Sequence, residues 1–171
     1  GTINVEREYL CRVEDWQWIS GAQEAIRSLN AAGLRVVVIS NQAGVARGKY
    51  TEADIHCLHA FVDQELARIG AWVDAYYYCP HHPEHGENRN CECRKPLPGL
   101  IFRARDELGI DCSASFMVGD KLIDVKTAMA AGVTPILVQT GYGAAESVHL
   151  PENVLILEDI GAACRYILGI P

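Results

Sequence analysis

Leu34-Arg35-Val36-Val37-Val38-Ile39-Ser40-Asn41-Gln42 joins a β-branched run to a short polar segment. The near-continuous apolar run over 34–39 is the pattern of a parallel strand buried on both faces. Ahead of it, Ala22, Ala25, Ile26, Leu29 and Ala32 recur at helical spacing. Ser20 and Gln23 are placed as a capping box for that helix, and Gly33 as its C-terminal stop. Beyond the run, residues 40–50 read as a loop. Thr51 and Asp54 then frame a second capping box for a helix over 52–69, with Ile55, Leu58, Val62, Leu66 and Ile69 facing inward. The same alternation continues. Strands are predicted at 72–78, 114–118, 134–139 and 154–157, and helices at 100–108, 124–131 and 160–168, with Gly109 and Gly132 as stops. Strand and helix in turn mean βαβ units. The expected fold is α/β, a Rossmann-like parallel sheet with helices on both faces, in one domain spanning 1–171.

Composition narrows the classes of function. Hydrophobic residues make up 49% and charged residues 22%, as in ordinary globular chains. The net charge of −7 argues against a general nucleic-acid binder, while leaving room for a local basic pocket. No signal peptide is recognisable, and no apolar run is long enough to span a membrane. Of the 7 cysteines, Cys11, Cys57, Cys112 and Cys164 lie far apart in segments of regular structure. They read as reduced thiols of a cytoplasmic protein rather than a disulfide framework. A monomer is expected, because one sheet accounts for the inner-face residues.

The other three cysteines fall in one loop. Residues 79–95 read Cys-Pro-His-His-Pro-Glu-His-Gly-Glu-Asn-Arg-Asn-Cys-Glu-Cys-Arg-Lys. The loop has no apolar periodicity and cannot bury a core of its own. Cys79 and His81, then Cys91 and Cys93, form two close pairs across a polar segment. That is the donor set of a Cys₃His structural zinc site stapling 79–93. His82 and His85 are rival ligands, and a disulfide is the other reading. Arg94 and Lys95 follow the last cysteine directly, so a metal knot would hold two cations in place.

In open parallel sheets, ligands bind outside the carboxyl ends of the strands. Ser40, the metal loop with Lys95, and Asp120 each follow a predicted strand, so the topology sends them to one rim. The Ser40 hydroxyl and the Asn41 amide suit a phosphate oxygen, although a turn or helix cap uses the same groups. Lys95 is a point charge and Arg94 a planar fork, both suited to a phosphoryl group, or else a solvated pair. Asp120 and Asp124 could hold a hard cation, and Asp124 also suits a helix start.

A hydroxyl, a lysine and a carboxylate on successive strand ends resemble the haloacid dehalogenase superfamily of phosphotransferases. Ser40, Lys95 and Gly119-Asp120 through Asp124 match its second, third and fourth motifs. Within the superfamily, Gly1-Thr2-Ile3-Asn4, Ser40-Asn41-Gln42 through Arg47-Gly48-Lys49, Tyr77 through Pro83, Cys91 through Pro96, and Met117 through Lys121 resemble the heptose bisphosphate phosphatase family. The zinc loop is shared with histidinol-phosphate phosphatases. The resemblance implies a Mg²⁺-dependent phosphomonoesterase with a structural Zn²⁺. It would remove the C7 phosphate of D-glycero-D-manno-heptose 1,7-bisphosphate, a small phosphosugar of lipopolysaccharide precursor synthesis, through an aspartyl-phosphate. Ser40 and Lys95 would bind the transferring group. Asp120 would hold magnesium, with Asp124 supporting it from behind. Glu6, Arg7, Glu8, Tyr9, Asn41, Gln42, Ala43, Arg47, Lys49, Arg94 and Lys121 would face the substrate.

The superfamily's first strand ends in Asp-x-Asp-Gly-Thr, and Gly1-Thr2 matches only its tail. Both aspartates, nucleophile and acid–base, would precede Gly1 on a central strand. The chain as written lacks them. A native form that carries the strand is expected. The alternatives are a histidinol-phosphate phosphatase and a catalytically inactive phosphosugar-binding protein.

Overall fold

A computed structural model describes residues 1–171. In chain order it contains α1 (Ala22–Ala31), β1 (Val37–Asn41), α2 (Glu52–Ala67), β2 (Ala75–Cys79), α3 (Gly99–Leu108), β3 (Phe116–Gly119), α4 (Leu122–Ala131), β4 (Thr134–Val138), α5 (Gly143–Glu146), β5 (Leu155–Leu157) and α6 (Ile160–Leu168). All strand pairs are parallel, and the fold is the α/β class expected. The sheet is in two parts, β1–β2 and β3–β4–β5. In the first, Val37 pairs with Ala75 and Asn41 with Cys79; in the second, Phe116 pairs with Thr134 and Ile136 with Leu155. Between β1 and β3 lies a cavity of about 730 Å³, lined by Val37, Val38, Ile39, Met117 and Val118 among others.

Alternation along β2 sorts the helices onto two faces. Tyr77 and Cys79 pack with Leu100 and Ala104 of α3, while Tyr76 packs against the α1–α2 cluster of Ile26, Val62 and Leu66. Ile101 of α3 joins Ala128 and Ala131 of α4. Ala22 and Ala25 of α1 join Ile160 and Cys164 of α6. Burial of these apolar stripes is the main favourable term in the fold. No helix is long and apolar enough to cross a membrane.

Several boundaries differ from expectation, each for a physical reason. β1 begins three residues late because the Leu34 amide turns back to the Leu29 carbonyl (3.0 Å), closing α1, and Leu34 is 42% exposed. β2 begins late because the Trp72 amide goes to the Asn30 side chain (2.9 Å). β1 and β2 are shifted toward their carboxyl ends, so Ser40, Asn41 and Cys79 are strand residues rather than loop residues. β1 is half-buried throughout, not buried on both faces, since its free edge lines the cavity. Ser20 does not cap α1. Gly21 does so at φ 77°, and the Ala22 amide bonds to the Ile19 carbonyl (3.0 Å), a backbone turn in place of a side-chain cap. The Thr51–Asp54 box is present in both directions, at 3.3 and 2.7 Å. α4 starts at Leu122, so Asp124 sits in its first turn. The short α5 after β4 was not anticipated.

Candidate active site

Ser40, Lys95, Asp120 and Asp124 lie at one rim and line one cavity at the carboxyl ends of the strands. Ser40 pairs with Tyr78 near the end of β1. Its Oγ accepts from Gln42 Nε2 (3.3 Å), so the hydroxyl keeps its own proton to donate. Gln42 is fixed in turn. Its amide donates to the Cys79 carbonyl (2.7 Å), and its Oε1 accepts from the Tyr50 hydroxyl (2.5 Å). Burial pushes the Tyr50 phenol up, which keeps it a donor. Gly44 is required beneath it, because a Cβ there would collide with the Tyr50 ring.

Lys95 reaches back across the sheet end. Its Nζ donates to Asp124 Oδ1 (2.6 Å) and to the Ile39 carbonyl (3.1 Å), leaving a third N–H for a ligand. Both partners of the ion pair are nearly buried, Lys95 at 11% and Asp124 at 7% side-chain exposure. Asp124 Oδ2 also accepts from the Lys121 amide (3.1 Å), which joins the pair to the start of α4. Gly119 is needed for this approach, since a Cβ there would meet the Asp124 side chain.

Asn41 departs from the expected role. Its Oδ1 accepts from the Lys95 amide (3.0 Å) and its Nδ2 donates to the Lys95 carbonyl (3.1 Å). Both ends of the side chain clasp the Lys95 peptide rather than reach outward to a phosphate. The clasp holds the lysine backbone against the end of β1.

Asp120 is 6% exposed and has no cationic side chain within ion-pair distance. It accepts from the Thr2 hydroxyl (3.3 Å) and the Tyr142 amide (3.1 Å). A buried carboxylate with only neutral donors fits a hard cation such as magnesium. Asp124 is already committed to Lys95 and the Lys121 amide.

The remaining candidates divide. Lys121 Nζ stands 4.0 Å from the Tyr142 ring centroid and 3.9 Å from Glu6. Arg47 donates to the Tyr9 hydroxyl (3.2 Å) and bonds His82 Nε2 (2.9 Å). Lys49 lies over the Tyr9 ring at 5.9 Å. Ala43 is half-buried, and its carbonyl accepts from the Arg47 amide (3.1 Å). Arg94 donates to the His81 carbonyl (3.1 Å). Arg7 and Glu8 line the cavity mouth, exposed, without being drawn into this network. Sequence reading missed Tyr50 and Tyr142, and saw His82 only as a rival ligand. The one signal in the sequence was the placement of the two tyrosines in the loops after β1 and β4.

The metal loop gathers its donors. Ligand atoms of Cys79, His81, Cys91 and Cys93 all lie within 4.8 Å of one another. Cys79 and Cys91 sulfurs are 3.6 Å apart, and His81 Nδ1 is 3.7 Å from Cys79 and 3.3 Å from Cys93. A zinc tetrahedron with Zn–S near 2.3 Å needs S···S separations of about 3.8 Å. All 7 cysteines are free thiols, so the disulfide reading fails. His82 and His85 are outside the cluster, with His82 turned to Arg47. Burial pushes the Cys79 thiol up; at Cys91 burial is outweighed by hydrogen bonds from Cys93, Cys79 and His81, which bring it down to about 7. Sulfur and imidazole donors gathered this closely suit a divalent ion, and the cluster could hold zinc.

A HAD-hydrolase-like family model matches residues 92–163. The D-glycero-beta-D-manno-heptose-1,7-bisphosphate 7-phosphatase of Escherichia coli (strain K12) is 48% identical over 145 residues, covering 82% of this chain and 76% of that protein. The protein of that name from Vibrio cholerae serotype O1 is 42% identical over 174 residues, covering 99% of this chain and 93% of its own. A crystal structure of D,D-heptose 1,7-bisphosphate phosphatase from B. bronchiseptica, complexed with magnesium and phosphate, superposes with a TM-score of 0.90 at 34% identity, covering 99% and 94% of the two chains. With the rim, the Cys/His loop and these relatives in agreement, the chain belongs to the D-glycero-beta-D-manno-heptose-1,7-bisphosphate 7-phosphatase family of HAD-like hydrolases.

Proposed function

We propose that the protein is a phosphomonoesterase that hydrolyses the C7 phosphate of D-glycero-D-manno-heptose 1,7-bisphosphate. The observation that carries this is the meeting of Ser40, the Lys95–Asp124 pair and Asp120 at one rim. Phosphoryl transfer asks a protein for positioning and charge more than for covalent chemistry. Ser40 donates its free proton to a phosphate oxygen. Lys95, oriented by Asp124 and Asn41, places its remaining N–H on the transferring group. Magnesium bound at Asp120 supplies charge neutralisation at the phosphate. The superfamily resemblance implies an attacking aspartate, and water then cleaves the acyl phosphate formed on it.

Arg94 and Lys121 grip the substrate or its second phosphate, and Glu6, Tyr9, Arg47 and Lys49 line the sugar side. Zinc on Cys79, His81, Cys91 and Cys93 fixes the peptide that carries Arg94 and Lys95. Residues 1–171 are read as belonging to one domain, working as a cytoplasmic monomer. The test is phosphate release by the full-length gene product, side by side on the heptose bisphosphate and on histidinol phosphate. Preference for the bisphosphate is expected. Preference for histidinol phosphate would reassign the substrate, and tight phosphosugar binding without release would make it a binding protein.

A further inference from the structure

Tyr50, Gln42 and Ser40 form one chain of side-chain contacts along the cavity wall. The Tyr50 ring is 9% exposed and folds back under Gly44, where there is no room for a Cβ. Backbone bonds close the loop around it: the Lys49 amide donates to the Gly44 carbonyl (2.8 Å) and the Arg47 amide to the Ala43 carbonyl (3.1 Å). The phenol oxygen is therefore a fixed point. It stands 2.5 Å from one end of the Gln42 side-chain amide, and the Ser40 hydroxyl stands 3.3 Å from the other. Bonds of the O–H···O type run from about 2.5 Å, whereas N–H···O bonds begin near 2.7 Å. The amide oxygen must face the tyrosine, and Nε2 must face the serine. An amide nitrogen only donates, so the Ser40 oxygen accepts and its proton is turned away from Gln42.

We propose that Tyr50 is a positioning residue for Ser40, acting through Gln42 to hold the serine hydroxyl as a donor to the phosphoryl group. It rests on the reading of Ser40 as a phosphate contact. Without the phenol, the half-buried Gln42 Oε1 loses its partner, and the amide gains by turning over. Its oxygen then faces Ser40 and accepts the hydroxyl proton that the phosphate oxygen needs. The ring fills the space beneath Gly44 with or without its hydroxyl; the hydroxyl itself serves Gln42. One buried O–H, eight residues along the chain from Gln42, thus sets the polarity of a group on the reacting phosphate.

The experiment uses the full-length protein with the heptose bisphosphate as substrate, measuring kcat and KM for Tyr50→Phe, Ser40→Ala and the Ser40→Ala, Tyr50→Phe double variant. Tyr50→Phe keeps the ring and its packing. Its kcat is expected to fall roughly three- to tenfold, the scale of one neutral hydrogen bond. KM should change little, because the Ser40 proton meets charge that develops in the reaction. In the Ser40→Ala background there is no hydroxyl to orient, so adding Tyr50→Phe should lower kcat no further. The same silence is expected in a Gln42→Met background, where the amide is gone. Losses that add in full in either background, or a raised KM with unchanged kcat in Tyr50→Phe, would overturn the proposal. An unchanged kcat in Tyr50→Phe beside a large loss in Ser40→Ala would overturn it alone. An unchanged kcat in Ser40→Ala would overturn it together with the role given to Ser40.

Discussion

Replacing Asp124 with alanine should destabilise the protein more than any other single change at the rim. The carboxylate is 7% exposed and takes two donors, Lys95 Nζ at 2.6 Å and the Lys121 amide at 3.1 Å. Without it, the Lys95 ammonium, 11% exposed, keeps only the Ile39 carbonyl at 3.1 Å. Removing one member of a buried pair costs about 3–5 kcal/mol, because the other charge is left uncompensated. In a chain of this size each kcal/mol moves the melting temperature by about 2–4 °C, so a fall of about 6–20 °C is expected. The double variant Lys95→Met, Asp124→Leu separates charge from packing. Exchanging a buried pair for apolar groups of similar volume is close to neutral. The double variant should therefore melt well above Asp124→Ala, yet release no phosphate. Thermal scans of the full-length protein with zinc bound, beside phosphate-release assays, read both. A melting temperature for Asp124→Ala within about 2 °C of the parent would refute the assigned burial cost. So would a double variant that melts below the single one.

Three further outcomes follow from named contacts. Asn41→Asp places a carboxylate oxygen where Nδ2 now donates to the Lys95 carbonyl (3.1 Å); catalytic efficiency should fall by about tenfold, the scale of one lost hydrogen bond of about 1.4 kcal/mol, with circular dichroism unchanged. Cys91→Ser removes a donor from the metal cluster; zinc content by metal analysis should drop below one ion per chain, and the melting temperature should fall with it. Burial, then the nearby His56, holds His59 down to about 4 from 6.5, with its ring stacked on Tyr76 at 4.1 Å. The unfolded chain takes up this proton first, so stability is present above about pH 6.5 and is lost as pH falls toward about 4. Urea midpoints across that window should fall with pH, and His59→Asn should flatten the slope.

The rim was legible because topology alone places the carboxyl ends of parallel strands together. Strand starts were not, and Leu34 and Trp72 show why. Both are apolar and extend a β-like run, yet they are 42% and 51% exposed, and their amides bond Leu29 and Asn30 instead of a neighbouring strand. Apolar pattern records what a residue tolerates, while a strand needs a hydrogen-bonding partner that lies far away in the chain. The cysteine pairs stood out by spacing, and a tetrahedral donor set leaves few other readings.

Asn41 shows where residue type stops being informative. An amide after a strand suits a phosphate oxygen, and nothing within several residues says otherwise. Its actual partner, Lys95, is 54 positions away, and Lys95 in turn reaches 29 positions to Asp124. Arg47 and His82 are 35 apart. In each case a polar group closed off from water must be satisfied by whatever the fold brings near. A side chain that both donates and accepts, like the Asn41 amide, can clasp a peptide group that does the same. Lysine at position 95 then has its backbone fixed by β1 and its ammonium fixed by α4. Neither segment alone encodes that constraint, so the chemistry of the rim could be read from single residues, but its precision comes only from pairs the fold assembles.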